Sequence, residues 1–392
     1  MRVLMVHNRY RSDSPSGENR VVDQEAALLS SAGHDVIRYE RESDEISRFP
    51  VVQKVTLPGR VLWSSEDRRR LGVLIRRSAP EIMHVHNTFP LISPSVLGSA
   101  GELRLPVVAT LHNYRLMCSN GLLFRDGAPC ELCVGRSAWP GVVHRCYRDS
   151  RLASVPVALG IEIHHRLKTW TRGVSAFVAL SQFARHKFIE AGLPAERIYV
   201  KPNFVLPPSG LREGSGGFAL FVGRLSPEKG VDLLIEAWSS ELGRLLIVGE
   251  GRSAVELKKR AMRHGPSVQF LGGLSHERTM QLLRNARALV VPSRSYEGFP
   301  LVVAEAYAHG VPVIAPAVGA FPEIVRNGES GLLFVPGDSD SLRARIVELM
   351  DPSTSQRLGE TARQLYEGHY APRRNLGLLL NIYEQVIERR VA

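Results

Sequence analysis

The chain has 392 residues, 44% apolar and 23% charged, an ordinary balance for a globular enzyme and enough length for two domains. No run approaches the ~18 uninterrupted apolar residues of a membrane-spanning helix, and the apolar run in Met1-Arg-Val-Leu-Met-Val-His7 is too short for a signal peptide, so the expected location is the cytoplasm. The net charge of +11 excludes neither a protein of solvated basic helix faces nor one drawn to an anionic membrane or lipid phosphate, while the absence of any RNA- or DNA-binding motif argues against nucleic acid as a partner.

In chain order, short apolar runs alternate with helical patterns. Residues 3–6 read as a strand, 18–32 as an amphipathic helix stopped by Gly33, and 35–39 as a second strand. Residues 68–77 form part of a helix, and 82–86 and 107–112 are further strands. Segments 40–66 and 113–150 read as loops. A helix over 156–171, a strand over 176–180, a helix over 182–191 and a strand over 198–201 complete the first half. Residues 207–217 are dominated by Pro, Gly and Ser and read as a linker.

The alternation then restarts. Strands are predicted at 218–223, 244–248, 268–271, 288–291 and 313–315, with helices at 230–239, 253–263, 277–285 and 300–309 between them. Helices at 339–350, 355–367 and 372–390 close the chain. Such βαβ alternation predicts an α/β fold of two doubly wound, mainly parallel sheets, with ligands at the carboxyl ends of the strands and the cleft between the domains as the default site.

All four cysteines, Cys118, Cys130, Cys133 and Cys146, fall within 29 consecutive positions, 118–146. In a reducing compartment disulfides are not expected, leaving a structural zinc or a loop of plain thiols as the two readings. Gly249-Glu-Gly251 follows a strand but lacks the third glycine of a dinucleotide fingerprint. Asp338-Ser-Asp340 resembles a metal motif but opens a helix, where N-capping is the better reading.

Two segments carry the chemistry. In Glu297-Gly-Phe-Pro-Leu-Val-Val-Ala-Glu305, two carboxylates lie eight residues apart around a helix start. Pro300 suits the first turn, whose free N–H groups attract an anion. Glu297 precedes the helix and can accept from sugar hydroxyls, while Glu305 sits ~8 Å further along the axis among small apolar neighbours. In Gly223-Arg224-Leu-Ser-Pro-Glu-Lys229-Gly230, Arg224 offers a planar fork for phosphate oxygens, Lys229 a compact charge, and Gly223 a close backbone approach. Cations for phosphate, carboxylates for hydroxyls and a helix end together suit a nucleotide-diphosphate sugar.

These segments, with Val200-Lys-Pro-Asn203, resemble the signatures of the family 4 retaining glycosyltransferases. The resemblance implies the GT-B fold: two Rossmann-like domains facing a cleft, an acceptor domain over 1–205, a nucleotide-sugar domain over 216–371, and a last helix, 372–392, returning to the first domain. It implies that Arg224 and Lys229 hold the diphosphate and that Glu297 meets the donor sugar, with Gly298 beside it and Phe299, Pro300 and Leu301 lending their backbone. Glu305 would bind ribose, the segment around Leu271 would pack on the base, and Gly249 would lie on the donor side. Pro15-Ser-Gly17 resembles the family's glycine-rich loop, although Ser16 stands where a second glycine is frequent; Gly17 would face the phosphate. Thr110-Leu-His112-Asn113 resembles the segment whose histidine stands beside the reacting sugar. Asn8, His84, His86, Asn87 and Asn113 either position the acceptor or are plain polar residues at strand ends.

The implied reaction moves a hexose, from UDP as the expected carrier, to a hydroxyl of a saccharide, lipid-linked sugar or small molecule, with retention and no cofactor. The catalytic set would be His112, Arg224, Lys229 and Glu297, and two cations plus a helix terminus would make a catalytic metal unnecessary. Peripheral contact with the inner face of an anionic membrane follows from the charge. The alternatives are a nucleotide-sugar epimerase or phosphorylase of the same fold, and a non-catalytic nucleotide-sugar or membrane-binding module.

Overall fold

The computed structural model describes residues 1–12 and 16–391. The chain divides into two compact units. Unit 1 comprises Met1–Leu123, Glu131–Pro202 and Asn375–Ala392; unit 2 comprises Phe124–Cys130 and Asn203–Arg374. The strands in chain order are β1 (Arg2–Arg9), β2 (Asp35–Glu42), β3 (Ile82–Asn87), β4 (Val107–Leu111), the ribbon pair β5 (Phe124–Arg125) and β6 (Ala128–Pro129), β7 (Ala176–Ala179) and β8 (Ile198–Val200). They continue as β9 (Ala219–Val222), β10 (Leu245–Val248), β11 (Val268–Gly272), β12 (Ala288–Val290), β13 (Val313–Pro316) and β14 (Gly331–Phe334).

The unit 1 sheet has the order β2-β1-β3-β4-β7-β8, and the unit 2 sheet has β11-β10-β9-β12-β13-β14. Every pairing in both sheets is parallel. Parallel strands covered on both faces need near-continuous apolar runs; Val3-Leu-Met-Val6 and Leu245-Leu-Ile-Val248 are such runs, and all eight residues are at most 3% exposed. On the unit 1 core Leu379, Tyr383 and Val386 of the last helix, Pro372–Val391, pack against Val3, Met5 and Val108. In unit 2, Leu234, Trp238, Ile247, Val290 and Ile314 form the equivalent core.

The strand order reverses between β1 and β3 in one sheet and between β9 and β12 in the other. Crevices at the carboxyl ends of such strands are where doubly wound sheets bind ligands. His7, Asn8, His86 and Asn87 lie at the first reversal; Gly223, Arg224 and the segment after Val290 lie at the second.

The elements differ from expectation in places with physical causes. Residues 51–62, read as loop, form the helix Val51–Leu62 with Pro58 inside it. None of its residues is buried, and Pro58 and Gly59 interrupt the pattern inside it, so the segment lacks the uninterrupted signature of a helix packed on the core. The helix expected at 156–171 is two, Arg151–Arg166 and Thr169–Gly173, because Lys168 adopts φ 55° between them. Strand β14, four residues long, was not anticipated. Asp338 does cap its helix, Oδ1 accepting from the N–H of Asp340 and of Ser341 at 2.9 Å each.

Candidate active site

In unit 2 the loops after β9 and β12 are clipped together. Arg294 N–H donates to Glu228 O at 2.9 Å, and its guanidinium pairs with Asp232 at 2.9 Å. Gly230, at φ 64°, brings its Cα so close to Pro292 that a Cβ would stand 2.0 Å from that carbonyl oxygen. Gly249 (φ 139°) likewise abuts the Gly223 carbonyl, where a Cβ would fall at 1.9 Å. The Gly249/Gly251 pair is thus a device for close backbone approach to the Gly223 loop.

This clipping brings together residues far apart in sequence. Lys229 Nζ lies 2.5 Å from Glu297 Oε1, which also accepts from Ser293 Oγ at 2.7 Å. Burial opposes the charge on Glu297, but Lys229, Ser293 and Arg224 overcome it and hold the carboxyl below its usual range. Arg224 is solvent-exposed on the same loop. Gly298 and the buried Phe299 and Pro300 lead into the helix Leu301–Ala308, which has no side-chain cap at its N-terminus. Its first N–H groups therefore remain available to an anion. Glu305 is 6% exposed, with His276 Nδ1 3.9 Å from its Oε1. Leu271 stands 36% exposed at the end of β11.

In unit 1 the structure gathers a buried polar network that the sequence did not disclose. Glu25, on the helix Gly17–Ser31, places Oε2 3.0 Å from Lys201 Nζ, both side chains 1% exposed. Its Oε1 lies 3.2 Å from His84 Nδ1 and 3.4 Å from His86 Nε2. His84 is bracketed by the Tyr383 hydroxyl at 2.7 Å and Thr110 Oγ1 at 2.8 Å, and Lys201 also donates to Asn375 Oδ1 at 2.9 Å. Burial works against the Glu25 charge, yet Lys201 and His84 hold its carboxyl well below the usual range. His86 Nδ1 and His112 Nε2 share a hydrogen bond of 3.0 Å with their rings stacked. Burial, aided by His84, pushes His86 down to about 4, and burial with His86 and His7 drives His112 well below its usual value. Both imidazoles are neutral at pH 7, so one donates and the other accepts.

Glu25, His84 and His86 are, among the described residues, the one group of three metal-ligating side chains with donor atoms within 4.8 Å of one another. Lys201 and the Tyr383 hydroxyl already hold positions beside them, while Glu25 Oε1 and His86 Nε2 are buried without a hydrogen-bond partner. The four cysteines form no such group and no disulfide among the described residues. A tetrahedral zinc needs four thiolates within reach of one ion.

Other anticipated residues have other duties. Asn8 is fully buried; its amide donates to Arg9 O and Ser43 Oγ, and its Oδ1 accepts from Leu91 N–H. Asn87 donates to Asn8 O at 2.8 Å. These amides brace the strand ends and are spent on the scaffold. Gly17 is the exposed first residue of its helix, behind the Ser16 cap, whereas Pro15 lies outside the described residues. Asn113 reaches Glu18 Oε2 at 3.4 Å, and Tyr10 donates to the same oxygen at 3.1 Å.

Glu18 was not singled out by its sequence context. Its Oε1 is sealed from solvent with no hydrogen-bond partner, and burial raises the carboxyl to about 7 despite Tyr10 and Asn113. A pKa raised above the unfolded value stabilises the fold below pH ~4.5 and loses that contribution as pH rises through about 7. Glu18→Gln is therefore expected to gain on the order of 2 kcal/mol relative to wild type between pH 5 and pH 8. Denaturant unfolding at the two pH values measures it; parallel pH profiles would show that Glu18 is not proton-linked to folding.

Known proteins resemble this chain over both of its halves. Residues 15–206 match the family described as Glycosyltransferase Family 4, and residues 207–365 match Glycosyl transferases group 1. Glycogen synthase of Mycobacterium tuberculosis is 28% identical over 93% of this chain and 90% of its own length. An uncharacterized glycosyltransferase of Methanocaldococcus jannaschii is 36% identical, but over 39% of this chain and 44% of its own length. Sucrose-phosphate synthase from Thermosynechococcus elongatus superposes with a TM-score of 0.70 at 19% identity, covering 99% of both chains. HepE from Anabaena, in complex with UDP and glucose, gives 0.67 at 17% identity, also over 99% of both. With two parallel Rossmann-like sheets and both halves matched, the chain belongs to the family 4 glycosyltransferases and has the GT-B fold.

Proposed function

We propose that this glycosyltransferase moves a hexose from a nucleotide-diphosphate sugar, UDP being the expected carrier, to an acceptor hydroxyl with retention of configuration. The observation that carries this reading is Lys229 held 2.5 Å from Glu297 where β9 and β12 diverge, with exposed Arg224 on the same loop. Arg224 and Lys229 take the diphosphate, with the open N-terminus of the helix Leu301–Ala308 as a third source of positive potential. Glu297, released in part from Lys229 by the incoming phosphate, accepts from the sugar hydroxyls, while Glu305 takes the ribose and Leu271 and Gly249 border the base. Unit 1 supplies the acceptor side, with His112 at the reacting sugar and Gly17 near the phosphate. The chain works in the cytoplasm, its excess cations favouring contact with an anionic membrane face.

The acceptor oxygen bonds to the anomeric carbon on the face from which the diphosphate oxygen departs, and its proton passes to that oxygen. Positioning and electrostatics provide the acceleration, and two cations with a helix terminus make a divalent ion unnecessary. The test is a set of UDP-, GDP- and ADP-hexoses incubated with the protein in chelator, with calorimetry for binding and NMR for the product anomer. Micromolar binding of one donor and a product of unchanged anomeric configuration are expected. Conversion of the donor without an acceptor would mark an epimerase, and binding of none of them would overturn the proposal.

A further inference from the structure

Unit 1 contains a cavity of about 430 Å³. It is lined by His86, His112 and Asn113, by Val157 and Ile161 of the helix Arg151–Arg166, by Trp170, and by Val61 of the helix Val51–Leu62. That volume lies within the range of sites for drug-sized ligands, roughly 300–1,000 Å³.

The side chains around it are selective in type. They include no aspartate, glutamate or glutamine. Neutral sugars are ordinarily gripped by carboxylates and amides, which both donate and accept in several directions. The cavity's two amides are already engaged: Asn87 with Asn8 O and Phe89 N–H, Asn113 with Arg115 N–H and Glu18. Its cations are Arg115, Lys168 and Arg197. Arg115 donates to the Ser119 carbonyl at 2.8 Å and Arg197 to the Thr171 carbonyl at 2.9 Å, contacts that leave the charges in place. The one carboxylate beside Arg197, Glu196, is exposed and 4.0 Å away. Basic groups after a helix C-terminus also complement its dipole, but that does not account for an acid-free, largely apolar lining around them.

The helix that contributes Val61 has a second feature. It projects Val51, Val52 and Val55 at 76%, 73% and 72% exposure, with Lys54 among them, and residues 47–64 contain no acid. An apolar, basic helix thus borders an apolar, basic cavity.

We propose that the cavity binds an acceptor with an apolar, lipid-like body and an anionic phosphate, Lys168 holding the phosphate. This rests on the glycosyl-transfer reading above and names the acceptor class. Recognition here is binding only; the bond made and the bond broken are those already described.

The probes are farnesyl phosphate, farnesol and inorganic phosphate, titrated into the full chain while tryptophan fluorescence is followed. Farnesyl phosphate is expected to give a saturable change that Trp170→Phe abolishes. Ile161→Trp, which narrows the cavity at a partly exposed position, should weaken binding at least tenfold while circular dichroism stays unchanged. Lys168→Glu, at an exposed position, should weaken farnesyl phosphate about five- to tenfold and leave farnesol unchanged. No saturable response to farnesyl phosphate, equal affinity for inorganic phosphate, or insensitivity to both variants would overturn the proposal. Donor binding is measured alongside: a chain that binds a nucleotide sugar but not farnesyl phosphate keeps its transferase reading and loses this one, and the converse result does the opposite.

Discussion

Arg224→Ala is expected to lower kcat/KM about 10²–10³-fold, or roughly 3–4 kcal/mol of transition-state stabilisation, the usual loss when one preorganised donor to a developing anion is removed. Arg224 is exposed and packs into no core, so the variant should unfold at the wild-type temperature. Arg224→Lys keeps the charge but not the planar fork and should fall between the two. Lys229→Ala is the less clean experiment, because it also strips Glu297 of its 2.5 Å partner. Steady-state rates with a saturating acceptor decide the matter, and wild-type turnover by Arg224→Ala would remove the residue from the diphosphate site.

The second large effect is on stability. Lys201→Ala is expected to destabilise unit 1 by about 3–5 kcal/mol at pH 7, because it leaves the Glu25 carboxylate buried without its cation. Both side chains are 1% exposed, and Lys201 also ties Asn375 of the last helix to the network. Neutralising both members, as Glu25→Gln with Lys201→Met, removes the uncompensated charge and should recover much of the loss. Hydrogen exchange of β1 and β8 amides reads this locally; a single-variant cost under ~1 kcal/mol would mean the pair is not electrostatically buried.

These two residues also mark where legibility ended. The role proposed for Arg224 rests on its own loop, where a glycine, an arginine and a Lys-Gly follow an apolar run. Lys201 belongs to an equally recognisable segment, Val200-Lys-Pro-Asn203, yet its partner Glu25 lies 176 positions away on another helix. Nothing in the spacing of Glu25 distinguishes it from the solvated carboxylates of an amphipathic helix. The same holds for Glu18, whose raised carboxyl depends on sealing by surrounding chain. For Asn8, the strand-end position suggested an acceptor contact, and only the fold showed its amide consumed by Leu91 and Ser43.

The sequence by itself determined the alternation of apolar strands and helices, hence two doubly wound parallel sheets, and the Gly223–Gly230 and Glu297–Glu305 segments, because each is encoded within a few consecutive residues. Only the tertiary structure decided which carboxylates are buried, and that unit 1 forms a cavity lined by no acidic side chain. Burial, convergence and enclosure depend on the meeting of segments distant along the chain, and on the desolvation that follows when they pack.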